Sequence, residues 1–177
     1  MRFARIYEDC ALAGAIEDIG REAFPPEEYV SPRSFLGDEE IAVIAMTEGE
    51  TAVGYMCAGL YDGLTYLFFL AVAEGYRGEG RGAAALSELR SLRPGVPVIV
   101  DPELAGPGSE NYEMRLRRRA FYLRNGFYPT GTGMRYNGVS FELLCTDRYF
   151  DTGVFRRYVE KYIDRGFDPE YFDLTET

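Results

Sequence analysis

The sequence predicts a mixed α/β domain with a mostly antiparallel sheet, and three observations carry that prediction. Residues 66–72, YLFFLAV, are an uncharged aromatic and aliphatic run, short enough for a strand buried on both faces. A glycine-rich bend follows, Arg77-Gly78-Glu79-Gly80-Arg81-Gly82, and beyond it Leu86, Leu89 and Leu92 recur at three-residue steps, as on one face of a helix. Ahead of the run, two more strand-like stretches flank a short connection that contains glycine.

Taken in order, residues 2–7 alternate polar and apolar and predict a half-buried first strand. Asp9 offers a helix cap, and Leu12, Ile16, Ile19 and Ala23 place one apolar face on the helix behind it. Pro25 and Pro26 must end that helix, because proline cannot continue it. Ser31-Pro32 caps and opens a second short helix through Leu36, which Gly37-Asp38 breaks. Strands at 41–47 and 51–60 flank Glu48-Gly49-Glu50, and Asp62-Gly63 marks a turn into the strand at Tyr66. Arg93-Pro94-Gly95 stops the next helix, and residues 96–100 are a short β-branched strand, for which the intervening helix allows parallel pairing with the strand at 66–72.

Later, Leu116, Ala120 and Leu123 predict the buried stripe of a helix that Asn125-Gly126 ends, with the glycine as a left-handed cap. Strands after Phe127 and over 139–146 follow, then an amphipathic helix bearing Phe155, Tyr158, Val159 and Tyr162. The expected organisation is one domain over 1–177, with a core over 2–146 and a C-terminal helix and acidic tail over 150–177. The tail from Asp164 is expected to pack on the sheet or to serve a homodimer contact.

The bend is the first candidate site. Alternate glycines permit positive φ and a close approach of ligand to main chain, and an amide nest at a helix N-terminus attracts phosphate. It is not a Walker loop, since the only lysine in the chain is Lys161, and the spacing of Gly75, Gly78, Gly80 and Gly82 does not fit a dinucleotide fingerprint. An ordinary glycine-rich connection is the bland alternative.

Composition narrows the function classes. With 29 acids against 19 bases the net charge is −10, which disfavours nucleic acid and favours cationic amines as partners. The chain has no histidine, which removes His-dependent triads, and Cys10, Cys57 and Cys145 have neither the spacing nor the companions for a metal or disulfide framework. All three cysteines are expected to be buried, and no metal is expected. No signal-peptide core or membrane-length apolar run is present in the sequence, so a cytoplasmic protein without membrane association is expected.

Two motifs together resemble the GNAT N-acetyltransferases. That family's acyl-CoA motif, Arg/Gln-x-x-Gly-x-Gly/Ala after a strand and opening a helix, is matched by Arg77, Gly80 and Gly82, with Leu70-Ala71-Val72 as the strand end. Glu74 stands where many members carry proline. The ending Phe/Leu-Tyr-x-x-x-Gly-Phe is matched by Phe121, Tyr122, Gly126 and Phe127. The resemblance implies a GNAT acyl-CoA N-acyltransferase fold with a splayed parallel strand pair, and acetyl-CoA as co-substrate. It implies donor contacts from Leu70, Ala71, Val72, Arg77, Gly78, Glu79, Gly80, Arg81 and Gly82, and Tyr122 as the general acid that protonates the departing thiolate. Where the family often places asparagine for the pantetheine arm this chain has Arg115, with Asn111 one turn earlier as the candidate.

For the acceptor, Phe24, Pro25 and Glu28 are similar to a Phe-Pro-x-x-Glu stretch of the family, which implies substrate contacts from Glu28 and Tyr29; a solvated loop acid is the alternative for Glu28. Asp101 and Glu103 face either the amine or their own loop. Arg115, Arg118, Arg119 and Tyr122 share one helix face, as phosphate ligands or as a solvated basic face. Residues 66–73 contain no glutamate, which leaves Glu28, Asp101, Glu103 and Glu142 as candidate bases. The implied activity is N-acetyl transfer to a primary amine, a small cationic one, by direct attack on the thioester. A non-catalytic acyl-CoA-binding module and a protein N-terminal or lysine acetyltransferase are the competing readings.

Overall fold

A computed structural model of the chain describes residues 1–26, 29–106 and 111–174. It forms two compact units, Met1–Tyr61 with Thr65–Gly95, and Val96–Thr177 with Asp62–Leu64.

The first unit carries strands β1 (Arg2–Ile6), β2 (Ile41–Glu48), β3 (Thr51–Tyr61) and β4 (Leu64–Val72), adjacent in that order. β1 pairs antiparallel with β2, and β2 with β3. Helix α1 (Ala11–Ala23) buries Ala13, Ile16 and Ile19 against a core that includes Val43, Ala45, Tyr55, Cys57 and Ala71. Asp9 does not cap α1. Cys10 occupies the cap position without a side-chain bond, while the Asp9 carboxylate pairs with Arg33 at 3.2 Å. That placement leaves Cys10 exposed, contrary to expectation, whereas Cys57 is buried. The Ser31 hydroxyl accepts from the Arg33 N–H and opens a 3-10 helix over Pro32–Phe35, as its sequence predicts.

Gly54 marks a close approach in the sheet. A Cβ there would collide with the Met46 side chain and lie 2.5 Å from the Ala71 carbonyl oxygen. The β2–β3 register shifts beside it, pairing Met46 with Gly54 but Thr47 with Ala52 and leaving Val53 as the extra residue of a bulge. The Val53 carbonyl accepts from Ala73 N–H at 3.0 Å, so the bulge grips the chain where it leaves β4. Helix α2 (Arg81–Leu92) buries Ala85, Leu86 and Leu89; Leu92, its last residue, is exposed rather than part of the stripe.

The second unit carries β5 (Val98–Val100), β6 (Tyr128–Tyr136), β7 (Val139–Cys145) and β8 (Glu170–Asp173) in the antiparallel order β5-β7-β6-β8. The tail therefore closes this group of strands, with Phe172 lying over Gly133. Helix α4 (Thr152–Glu160) is capped by the Asp151 carboxylate and buries Phe155, Tyr158 and Val159. Helix α3 (Tyr112–Arg124) has no fully buried residue, and Leu116 is 37% exposed, so the expected buried stripe is at most half-covered. Cys145 is buried.

Candidate functional site

In the first unit, β4 delivers the main chain through Leu70, the buried Ala71 and Val72 into a 3-10 turn at Glu74–Tyr76. Gly78 and Gly80 both take left-handed backbone, with φ of 85° and 80°. A Cβ at either would meet nothing within 4 Å, so conformation rather than crowding calls for glycine. Gly80 is the N-cap of α2 and the helix has no side-chain cap, while Gly82 lies in its first turn. First-turn N–H groups have no partner within the helix, so this bend offers amide donors to an anion, as a phosphate-bearing donor needs. Glu74 gains a bond that proline would forfeit: its N–H donates to the Glu22 carboxylate at 3.0 Å.

The two arginines of the bend differ. Arg77 is half exposed, its Nε donating to the Val72 carbonyl at 2.9 Å and its Nη2 lying 3.7 Å from Glu22. Arg81 turns inward to Glu48, Glu79 and the Tyr76 carbonyl. An open depression of about 240 Å³ beside it is lined by Met1, Glu48, Glu79, Gly80, Arg81 and Ala84.

Glu28 lies outside the described residues. Of the neighbouring expected acceptor contacts, Tyr29 is half-buried against Gly20, with the Arg21 guanidinium 5.2 Å from its ring centre. Burial foremost raises its hydroxyl pKa. Phe24 meets Phe69 of β4 edge to face at 5.3 Å, and Phe35 meets Phe68 at 5.2 Å, fixing both ends of the segment between α1 and β2. Glu17, which sequence reasoning missed, is the hub here. Its carboxylate bonds Arg21 at 2.8 Å, Arg33 at 2.9 Å and the Ser31 hydroxyl at 3.2 Å. Burial pushes its pKa up, but these partners outweigh burial and hold it below the usual carboxylate value. Only the Glu17/Arg21 spacing of four hinted at this in sequence.

In the second unit, α3 ends in a Schellman motif. Phe127 N–H donates to the Tyr122 carbonyl at 3.2 Å and Gly126 N–H to Leu123 at 3.1 Å, with Gly126 at φ 78°. The Tyr122 ring meets Phe121 at 5.2 Å and Phe127 at 5.4 Å, both edge to face. Burial pushes the Tyr122 hydroxyl up to about 12; Arg118 pulls it down, and Asp101 adds to the rise. The Tyr122 hydroxyl therefore carries its proton at neutral pH.

Arg115, Arg118 and Arg119 of α3 each pair with a carboxylate. Arg119 binds Glu142 through two hydrogen bonds of 2.6 and 3.1 Å, and the Glu142 side chain is 7% exposed. Arg115 pairs with Glu103, its Nη2 donating at 3.3 Å, and donates to the Leu104 carbonyl at 3.1 Å, while Arg118 lies 3.6 Å from Glu103. Glu103 and Glu142 are thus engaged as counterions of α3, which disfavours both as bases. Asp101 is half-buried at the end of β5. Asn111 takes the N-cap position of α3 and is exposed, without a side-chain cap bond. Among the described residues no group of three His, Cys, Asp or Glu could hold a metal, and no helix is long and apolar enough to cross a membrane.

Comparison with known proteins agrees with this arrangement. Several solved structures share the fold. A GNAT-family protein from Bacteroides thetaiotaomicron is 22% identical with a TM-score of 0.69, covering 94% of this chain and 98% of its own. An aminoglycoside 6'-N-acetyltransferase solved with coenzyme A is 18% identical with a TM-score of 0.65, covering 82% and 96%. The ribosomal-protein-S18-alanine N-acetyltransferase of Escherichia coli is 16% identical with a TM-score of 0.63, covering 85% and 96%. No curated protein sequence matches significantly. The model of the Acetyltransferase (GNAT) family matches residues 4–92, half of the chain, from within β1 through the glycine bend and α2, and the chain belongs to that family.

Proposed function

We propose that the protein transfers the acetyl group of acetyl-CoA to the primary amine of a small cationic acceptor. The observation that carries this reading is the left-handed pair Gly78 and Gly80 leading from β4 into the uncapped first turn of α2. Their amides would hold the donor's phosphates, with Arg77 beside them and the main chain of Leu70, Ala71 and Val72 along the thioester arm. Acetyl-CoA supplies the activated carbonyl. The acceptor amine attacks it uncharged, carbon–sulfur cleavage follows, and Tyr122 gives its proton to the departing sulfur.

Near 12, Tyr122 is a weaker acid than a free thiol at about 8.5, so its proton transfers only as the bond breaks and charge builds on sulfur. Arg118, which lowers the tyrosine's pKa, favours that transfer. Asp101, which follows β5, is a candidate for taking the amine proton.

The aminoglycoside enzyme with this fold acts on a small polycation, whereas the S18-alanine enzyme acts on a protein, so fold alone does not choose. The net charge of −10 favours the cation. Acetylation of a polyamine and aminoglycoside panel beside N-terminal peptides tests this. Turnover confined to the small polycations, with KM rising as salt screens the acidic field, supports it; turnover confined to peptides overturns the acceptor class.

A further inference from the structure

The guanidinium of Arg81 closes the glycine bend on itself. From the first residue of α2, its Nη1 reaches back to the Tyr76 carbonyl at 3.0 Å and to the Glu79 carboxylate at 2.6 Å, and its Nε donates to Glu48 at 2.8 Å. The same group lies 5.1 Å from the centre of the Tyr76 ring. Tyr76 precedes the bend, Glu79 lies within it and Arg81 opens α2, while Glu48 ends β2 and belongs to the sheet. The Arg81 side chain is 12% exposed although both of its carboxylate partners stand further out in solvent.

Two physical points make this arrangement informative. A cation in the first turn of a helix opposes the macrodipole, so an inward arginine there needs compensating carboxylates, and Glu48 and Glu79 are those groups. Gly78 and Gly80 are exposed and have nothing around a Cβ position, so the segment alone would sample many backbone states and lose much entropy on ordering.

We infer that Arg81 is a positioning residue of this bend: held by Glu48, it presets the amides of residues 78–82 for the anionic end of the donor and does not itself ligate phosphate. The inference rests on the acetyl-CoA reading of the bend for its ligand, while the pinning of the backbone stands on the geometry alone. It also separates the duties of the two arginines, leaving Arg77 as the half-exposed cation available to the ligand.

Glu48 is the discriminating position, because it contacts the bend through Arg81. In the free protein, Glu48→Gln is expected to speed amide exchange across residues 76–82 without changing exchange in β3 or α4. In turnover, it is expected to raise KM for acetyl-CoA about three- to tenfold, the size of one net hydrogen bond, with kcat and the acceptor KM unchanged. Arg81→Lys should act in the same direction and more strongly, since an ammonium cannot span the three acceptors, and should leave the salt dependence of acetyl-CoA binding as in the wild type. Unchanged exchange in both variants overturns the inference. So does a salt dependence of acetyl-CoA binding that weakens in Arg81→Gln, a variant that removes the charge; the arginine is then a ligand. Wild-type protein that binds no acetyl-CoA removes the ligand reading, and the exchange measurement then decides the pinning role by itself.

Discussion

Tyr122 and Phe127 hold each other twice: the Phe127 N–H donates to the Tyr122 carbonyl at 3.2 Å, and their rings meet edge to face at 5.4 Å. The Tyr-x-x-x-Gly-Phe pattern is thereby one device. Glycine turns the chain out of α3, and phenylalanine closes the cap and braces the half-buried tyrosine. Tyr122→Phe keeps the ring contacts and removes the proton, so kcat should fall about 10²- to 10⁴-fold while acetyl-CoA binding by calorimetry is unchanged. Gly126→Ala, which forces a Cβ into left-handed backbone, should instead lower stability by about 1 kcal/mol, read from the denaturation midpoint.

Arg118 tests the electrostatics of the same acid. It opposes the rise in the Tyr122 pKa and is itself held 3.6 Å from Glu103, which keeps Arg115 as a second partner. Arg118→Gln should therefore raise the tyrosine's pKa further and lower kcat several-fold, with KM for acetyl-CoA little changed. An unaltered kcat would separate Tyr122's acidity from the rate.

Gly54→Ala places a methyl group 2.5 Å from the Ala71 carbonyl oxygen, and backbone at the centre of a sheet cannot step aside as a side-chain tip can. We expect a loss of about 1–3 kcal/mol in urea denaturation. Because Ala71 lies in the strand that leads into the glycine bend, weaker acetyl-CoA binding should accompany it.

Stability should fall at both ends of the pH scale. Burial raises Tyr122 and Tyr171 to about 12 and Cys145 to about 11, above their ordinary values of 10.0 and 9.0. Each folded pKa lies above the unfolded one, so these contributions are full below pH 9 and are lost as the pH rises towards 12. Glu48, lowered chiefly by its hydrogen bond to Arg81, and Glu17, held low by its arginine and serine partners, act in the opposite sense. Their contributions are present above the ordinary carboxylate value of 4.5 and are lost as the pH falls below it. Tm against pH should show a plateau at neutral pH with a decline on each side; a Tm constant from pH 9 to 11 would contradict the alkaline part.

Much of this was legible in the chain itself. The strand, bend and helix from Tyr66 to Leu89, the Ser31 cap and the Gly126 ending all follow from local rules, because glycine, serine and apolar periodicity act on their own neighbours. What stayed hidden depends on residues far apart in sequence. The Glu17 carboxylate meets Ser31 and Arg33, Arg81 meets Glu48, and Arg119 meets Glu142, and no local pattern announces such partners. The same distance misled the reading of Asp9 as a cap, since its carboxylate pairs with Arg33. β8 was missed because four residues of an acidic tail carry little strand signal until β6 is there to receive them.

The measurement that bears most directly on the central claim is free-thiol release from acetyl-CoA by the wild-type protein across a panel of amines, run beside calorimetric binding of acetyl-CoA. The account predicts saturable binding of the donor and amine-dependent thiol release with at least one small polycation, abolished or nearly so by Tyr122→Phe. Binding without release on any amine would contradict the catalytic role, and absence of donor binding would contradict the account at its root.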